Sequence, residues 1–321
     1  MNTSYTLAEI EALRGHLYHY LRFSQSYWLD DGWTRAMYEP PDELLEDQLR
    51  TYMEFWPYKL RAGHTRNPAG GACAMAAVNW LVHGKHSDRP KCACPVVGRF
   101  VMAGNDAMDD DDRQRLLPYL HRIAGSRSPE YAQSRAAIIV SAALRIWAPK
   151  WLDDAGLPIP ARQLRELPDH VSAQEAFEVA RQAERIALKK AMRTNTTAER
   201  KFGSLQGFLM KTLQTAKAER AANVARGAGE AIVLLSQVEN ASRVLPWSLS
   251  RWPAAQAILL SAVNEAVMAL RAPRNCWDDY FVVLDDVLNA GPQGEPWSAD
   301  FIDHGTAAYR AKGGKAVLTE A

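Results

Sequence analysis

Four side chains able to bind a metal through nitrogen or sulfur fall within twelve residues: His83, His86, Cys92 and Cys94, with Asp88 among them. Imidazole and thiolate are the ligands zinc prefers, so the set predicts a zinc site or, without metal, a reactive thiol. Cys94 stands directly before Pro95, where the N–H groups of a starting helix favour a thiolate. Against this, the Cys-x-Cys pair departs from the Cys-x2-Cys knuckle. The alternative is that these thiols are small buried hydrophobes beneath a turn. Cys73 stays outside the set. If 69–83 is one helix, ten residues separate Cys73 from His83 by about 15 Å along the axis, which also excludes a direct dyad.

Two further groups carry charge rather than reactivity. Asp109 to Asp112 are contiguous, with Asn105 and Asp106 just before them. Mg²⁺ or Ca²⁺ would need spaced oxygen ligands, whereas contiguous helical residues point in different directions. These acids are expected to open a helix and offset the positive end of its dipole. The segment 181–226 holds eleven Lys/Arg against three acids, and Arg181, Arg185, Lys189 and Arg193 recur at intervals of four. Such a row predicts either a stripe that tracks nucleic-acid phosphates or a solvated face that pairs with acidic segments. Phe202 and Phe208 are too few aromatics for a single-strand stacking platform.

Common catalytic signatures are missing. No histidine precedes a glutamate and no Glu-x-x-His pair occurs, which removes zincin and di-iron readings. Gly84-Lys85-His86-Ser87 is not a phosphate loop, and the serine of Gly203–Gly207 falls one place early for a nucleophile elbow.

The stretch from Cys73 to Arg127 resembles an uncharacterised family of bacterial and bacteriophage proteins. The resemblance rests on Cys73-Ala74-Met75, on Gly84 through Ser87-Asp88, Pro90 and Cys92, and on Pro95, Phe100 and Asn105-Asp106. It closes with Arg113, Leu116 and Gly125. It covers about a sixth of the chain and implies a bacterial or phage origin, with no activity attached.

The elements that must position these groups read as helices. Across 321 residues, 47% apolar and 23% charged, there is material for one large or two modest cores. Thr6–Glu9 and Ser172–Glu175 are capping boxes, and His16 and His19 lie a turn apart on the first helix. A second helix is expected from Asp42 to Trp56. Asn67-Pro68 opens one that runs through Cys73 and Trp80 to Gly84, and Pro95 opens the next. Ser128 precedes a helix burying Ala132, Ala136, Ile139, Val140, Ala143, Leu144 and Trp147. Leu205 to Leu213 and Ile232 to Val238 read as two separate helices. Ile258 to Leu270 is amphipathic, and 278–289 ends the series with Asp285 and Asp286 facing water. No alternating strand pattern occurs, so the expected fold is an all-α, multi-helix globular bundle with a Pro-rich hinge.

The breakers between Pro149 and Pro168 predict an N-terminal helical domain at 1–148, a linker at 149–171, a C-terminal helical domain at 172–290 and a loosely packed tail at 291–321. Four dispersed cysteines suggest reduced thiols and a cytoplasmic location. Met1–Glu11 lacks the basic start and apolar core of a secretory signal, and no apolar run is long enough for a membrane span. Formal net charge is +1, but residues 1–60 hold ten acids against five Lys/Arg and 275–304 hold seven acids and no Lys or Arg. The leading functional expectation is a non-enzymatic protein-interaction protein of a bacterial or phage accessory system. The alternatives are a metal- or thiol-dependent enzyme using 83–94, with zinc as its cofactor, and a nucleic-acid binder using 181–226.

Overall fold

A computed structural model of the chain describes residues 60–63, 72–83, 86–198, 205–244, 252–267 and 276–295, together with 270, 307 and 311. The helices expected before residue 57, with His16 and His19, lie outside the described residues. All described regular structure is helical apart from one isolated parallel bridge between Leu60 and Ala72. The all-α expectation therefore holds. No described helix is long and apolar enough to cross a membrane. The chain divides into two compact units, residues 1–132 with 284–321, and residues 133–283.

In the first unit, helix α1 (Ala74–His83) is buried at every position from Ala74 to Val82. A helix apolar all round belongs inside a core, and α1 packs against α2 (Pro95–Ala107) and α4 (Leu120–Ala124). It starts later than the sequence suggests. Ala72 is held in the bridge to Leu60, and Cys73 precedes the first turn with its Sγ accepting from the Ala76 N–H at 3.4 Å. Pro95 occupies the first position of α2, where a missing N–H costs nothing. Helix α3 (Asp110–Gln114) opens as expected, with the Asp109 carboxylate accepting from the Asp112 N–H at 2.9 Å.

The second unit begins with α5 (Ala132–Ala142, of which Ala132 belongs to the first unit), continues through a π-turn at 143–147, and enters α6 (Ala148–Asp154). Pro149 explains the wide turn, because it cannot donate to the Arg145 carbonyl and its ring crowds that oxygen. Every apolar position expected to be buried between Ala132 and Trp147 is buried. The expected linker 149–171 lies inside this unit. Gly156, at φ +67°, closes α6 with Gly156 N–H to Asp153 O and Leu157 N–H to Leu152 O, both 2.8 Å. That pattern is a Schellman cap, which needs the left-handed glycine. Pro158 then starts α7 (Pro158–Arg165), and the Arg145 guanidinium donates to the Leu167 and Pro168 carbonyls.

Helices α8 (Ala173–Ala198) and α9 (Leu205–Val244) form an antiparallel pair with the most extensive helix–helix contact in the molecule's described part. Ser172 caps α8 through the Glu175 N–H at 3.1 Å, as its capping box predicts. The seam is alanine: Ala176, Ala180, Ala183, Ala187 and Ala191 are buried on α8, and six alanines between Ala218 and Ala231 on α9. Small residues let the backbones approach closely. A Cβ on Gly229 would stand 3.0 Å from the Ala180 Cβ, and one on Gly227 would stand 2.9 Å from the Glu265 carbonyl of α10 (Trp252–Val267). Helix α9 is thus clasped on two sides, and the two short helices expected at 205–213 and 232–238 are one.

Helix α11 (Trp277–Asn289) crosses the division between the units at 283/284. Its start lies in the second unit, where Lys150 forms an ion pair with Asp279, and Trp277, Tyr280 and Phe281 meet edge-on along the helix itself. Its end belongs to the first unit. There Asp286 is exposed as expected, but Asp285 accepts from Tyr119 Oη at 3.1 Å and pairs with Arg122 at 2.5 Å. Arg122 also donates to Asn289 at 3.0 Å and to Gln293, and Gly294 N–H bonds the Arg122 carbonyl at 3.1 Å. Residues 291–295, the described start of the expected tail, are therefore bound along α4.

Candidate functional site

The Cys/His turn connects α1 to α2. His83 ends α1, His86 and Asp88 follow as half-buried residues, and Cys92 and Cys94 are buried. The turn is anchored from the far side of α4. Cys94 N–H donates to Ser126 Oγ at 3.0 Å, Ser126 Oγ–H donates to the Ile123 carbonyl at 2.7 Å, and Arg127 Nη1 donates to the Lys91 carbonyl at 2.6 Å. Burial pushes the Cys92 thiol up to about 12, which keeps it protonated at neutral pH. Burial likewise lowers the Arg127 guanidinium to about 9.

Among the described residues, no group of three or more His, Cys, Asp or Glu is placed to hold a metal ion. His83, His86, Cys92 and Cys94, adjacent in sequence, are not assembled into such a group. Cys73 is likewise buried, and its thiol is raised first by that burial.

The Asn-Asp and Arg segments that follow are joined into a scaffold. Asn105, wholly buried, accepts from the Ala74 N–H through Oδ1 at 3.1 Å and donates through Nδ2 to the Arg61 carbonyl at 2.9 Å. It thereby supplies a cap to α1 from another helix and fastens the strand-like segment beside it. Asp106 Oδ1 accepts from the Gly63 N–H at 2.8 Å. Gln114 brackets Leu60, accepting its N–H at 2.8 Å and donating to its carbonyl at 3.2 Å. Arg113, buried on α3, donates Nε to the Asn105 carbonyl at 2.7 Å and its two other nitrogens to Asp110 and the Met108 carbonyl. Each of these groups is engaged by the fold itself.

The basic row on α8 is arranged differently. Arg181 pairs with Glu184 at 2.5 Å and lies 5.9 Å over the Phe177 ring. Arg185, Lys189 and Arg193 are exposed. So are two large apolar residues that the sequence reading passed over, Leu188 at 41% and Met192 at 69%. Arg181, Arg185, Leu188, Lys189 and Met192 follow at steps of four, three, one and three, which is one helix face with Arg193 on its flank. The alanine seam occupies the opposite side. Lys190, between the two, reaches the Gly156 carbonyl at 3.1 Å, and on α9 Lys217 pairs with Asp154 at 2.9 Å.

The signal for Leu188 and Met192 was present in the sequence. They are out of phase with the 176/180/183/187/191 alanines, so a helix buried on its alanine side must turn them outward.

The exposed face of α8 and the enclosed Cys73–Arg127 scaffold are the two candidate sites among the described residues. Compared with protein-family models, curated proteins and solved structures, the chain matches none.

Proposed function

We propose that the protein works by contact with another protein, through the outer face of α8, in a bacterial or bacteriophage accessory system. The observation that carries this reading is the exposure of Leu188 and Met192 between cations on a helix whose other side is already filled by α9. Burying such side chains completely yields about 1.5–3 kcal/mol each, and folding leaves most of that gain at Met192 and part of it at Leu188 for a partner to collect. The protonated, enclosed state of Cys92 speaks against that residue as a reacting thiol. Exposure of Arg185, Lys189 and Arg193 also favours the nucleic-acid reading, so the decisive measurement must separate the two.

A photo-crosslinking amino acid placed at position 192 in cells of the natural host does so. The expected product is a protein adduct that is absent when the label sits at Ile159, another exposed apolar residue, and absent when Arg185→Glu and Lys189→Glu accompany position 192. Adducts that are digested by nuclease, or that persist through the charge reversal, would overturn the proposal.

A further inference from the structure

We infer that the partner segment docking on α8 is an acidic amphipathic helix; this rests on the protein-contact reading above and adds the chemistry of what binds. From Arg185 to Ala198 the chain carries four Lys/Arg and no Asp or Glu. On the outer face, Arg185 and Lys189 stand one helical turn apart, about 6 Å along the axis, with Leu188 and Met192 completing the same stripe at steps of three and four. A partner helix with carboxylates at i and i+4 repeats that rise, and apolar residues at i+3 and i+7 fall over Leu188 and Met192.

Other occupants meet only part of this pattern. A nucleic-acid backbone neutralises the cations but leaves both apolar side chains in water. An anionic membrane surface takes helices with a broad apolar face, whereas here the broad apolar face is the alanine seam against α9. A second copy of the same face brings like charges together. The face also has an end. Glu178, exposed on the same stripe one turn before Arg181, repels a carboxylate placed there and limits the acidic stretch of the partner to the Arg185–Arg193 half.

The test uses the full chain and a fluorescent alanine-based peptide of about 18 residues, long enough to populate helix in water, with Glu at i, i+4 and Leu at i+3, i+7. Binding is read by anisotropy at about 50 and 200 mM salt, beside a duplex DNA of matched charge and phosphatidylserine vesicles. The expected result is saturable peptide binding, weakened at least about tenfold by Leu188→Gln with Met192→Gln, and by a similar factor when the peptide's leucines become serine. Moving the peptide's glutamates to face Glu178 should weaken it as well.

Equal binding of the leucine and serine peptides, preference for the DNA or the vesicles, or no peptide binding at all overturns the inference. If position 192 still crosslinks to a protein in any of these cases, the contact reading survives and only the partner's chemistry is wrong. If the crosslink fails too, both fall.

Discussion

The Cys73–Arg127 stretch and the α8 hairpin invert each other. The first is dense in groups with chemical capacity, and the fold turns them on itself: Asn105 caps α1, Arg113 ties α3 to α2, and Ser126 holds the backbone of Cys94. The second is an alanine-rich helix with no reactive group, and it places cations and two large apolar side chains in water. What separates them is how much of each side chain's bonding capacity the fold has used. A buried polar group must find its partners inside, so density of polar residues in a core segment is what a scaffold requires. An exposed apolar residue has no such obligation, and its exposure at helical spacing is the more informative sign.

The largest effect should come from the crossing of two glycines in the first unit. A Cβ on Gly294 would overlap the His121 carbonyl oxygen, and one on Gly125 would overlap the Gly294 backbone. Neither obstacle is the end of a flexible side chain, so the backbone itself must move. Gly294→Ala is expected to destabilise by about 3 kcal/mol or more, measured by denaturant unfolding. A loss under about 1 kcal/mol would mean that residues 291–295 are not bound along α4, and that the scaffold ends sooner than described here.

Asn105→Ala comes next. It removes three hydrogen bonds, one of them to Asp106, and strands the Ala74 N–H, at the head of a fully buried helix, and the Arg61 carbonyl. A cost of about 2–4 kcal/mol follows if both groups stay dry. Asn105→Asp separates the two roles, since a carboxylate can still accept from Ala74 but cannot donate to Arg61. A neutral outcome for Asn105→Ala would break the contrast, because the polar cluster would then not be a scaffold.

Acid should expose the same asymmetry. His121, on α4, is buried, and that burial lowers its imidazole to about 3, with Arg122 adding repulsion. The unfolded chain takes up this proton near 6.5 and the folded chain does not, so the stability contribution is complete above 6.5 and is lost as pH falls toward 3. Between pH 7 and about 4.5 the unfolding free energy should drop by about 2–3 kcal/mol from this group. His121→Gln should flatten that slope, whereas charge substitutions at Arg185 should not. An unchanged acid slope in His121→Gln would assign the loss to carboxylates elsewhere.

Much of the fold was legible because several caps carry their own signatures. Ser172 and Glu175, Pro95 and Asp109 all sit where their side chains demand. The length of α9 was not legible. Between Leu213 and Ile232 it buries alanine and glycine, with Val224 the one larger apolar residue, so a search for periodic large apolar residues finds only its two ends. The breakers at 149–168 lie inside one compact unit. Pro149, Gly156 and Pro158 serve a π-turn, a Schellman cap and a helix start within the second unit, and punctuation of that kind reads identically in a hinge. The Cys/His turn was legible as a cluster in sequence. Spacing along the chain does not say whether ligands converge; among the described residues no group of three or more is placed to hold a metal ion.

The smallest expected effect is the one that tests the other half of the comparison. Leu188→Gln and Met192→Gln keep helix propensity nearly constant, since glutamine ranks with leucine and methionine as a helix former. Met192 is 69% exposed, so little apolar area returns to water on substitution, and the unfolding free energy should change by no more than about 0.5 kcal/mol. Leu188, at 41%, retains more contact with its own helix and should cost up to about 1 kcal/mol. Both variants should raise solubility if the stripe is sticky on its own. A loss of 2 kcal/mol or more, on the order of a core truncation, would show that these side chains pack within the fold in solution, and the outer face of α8 would then be part of the scaffold rather than its counterpart.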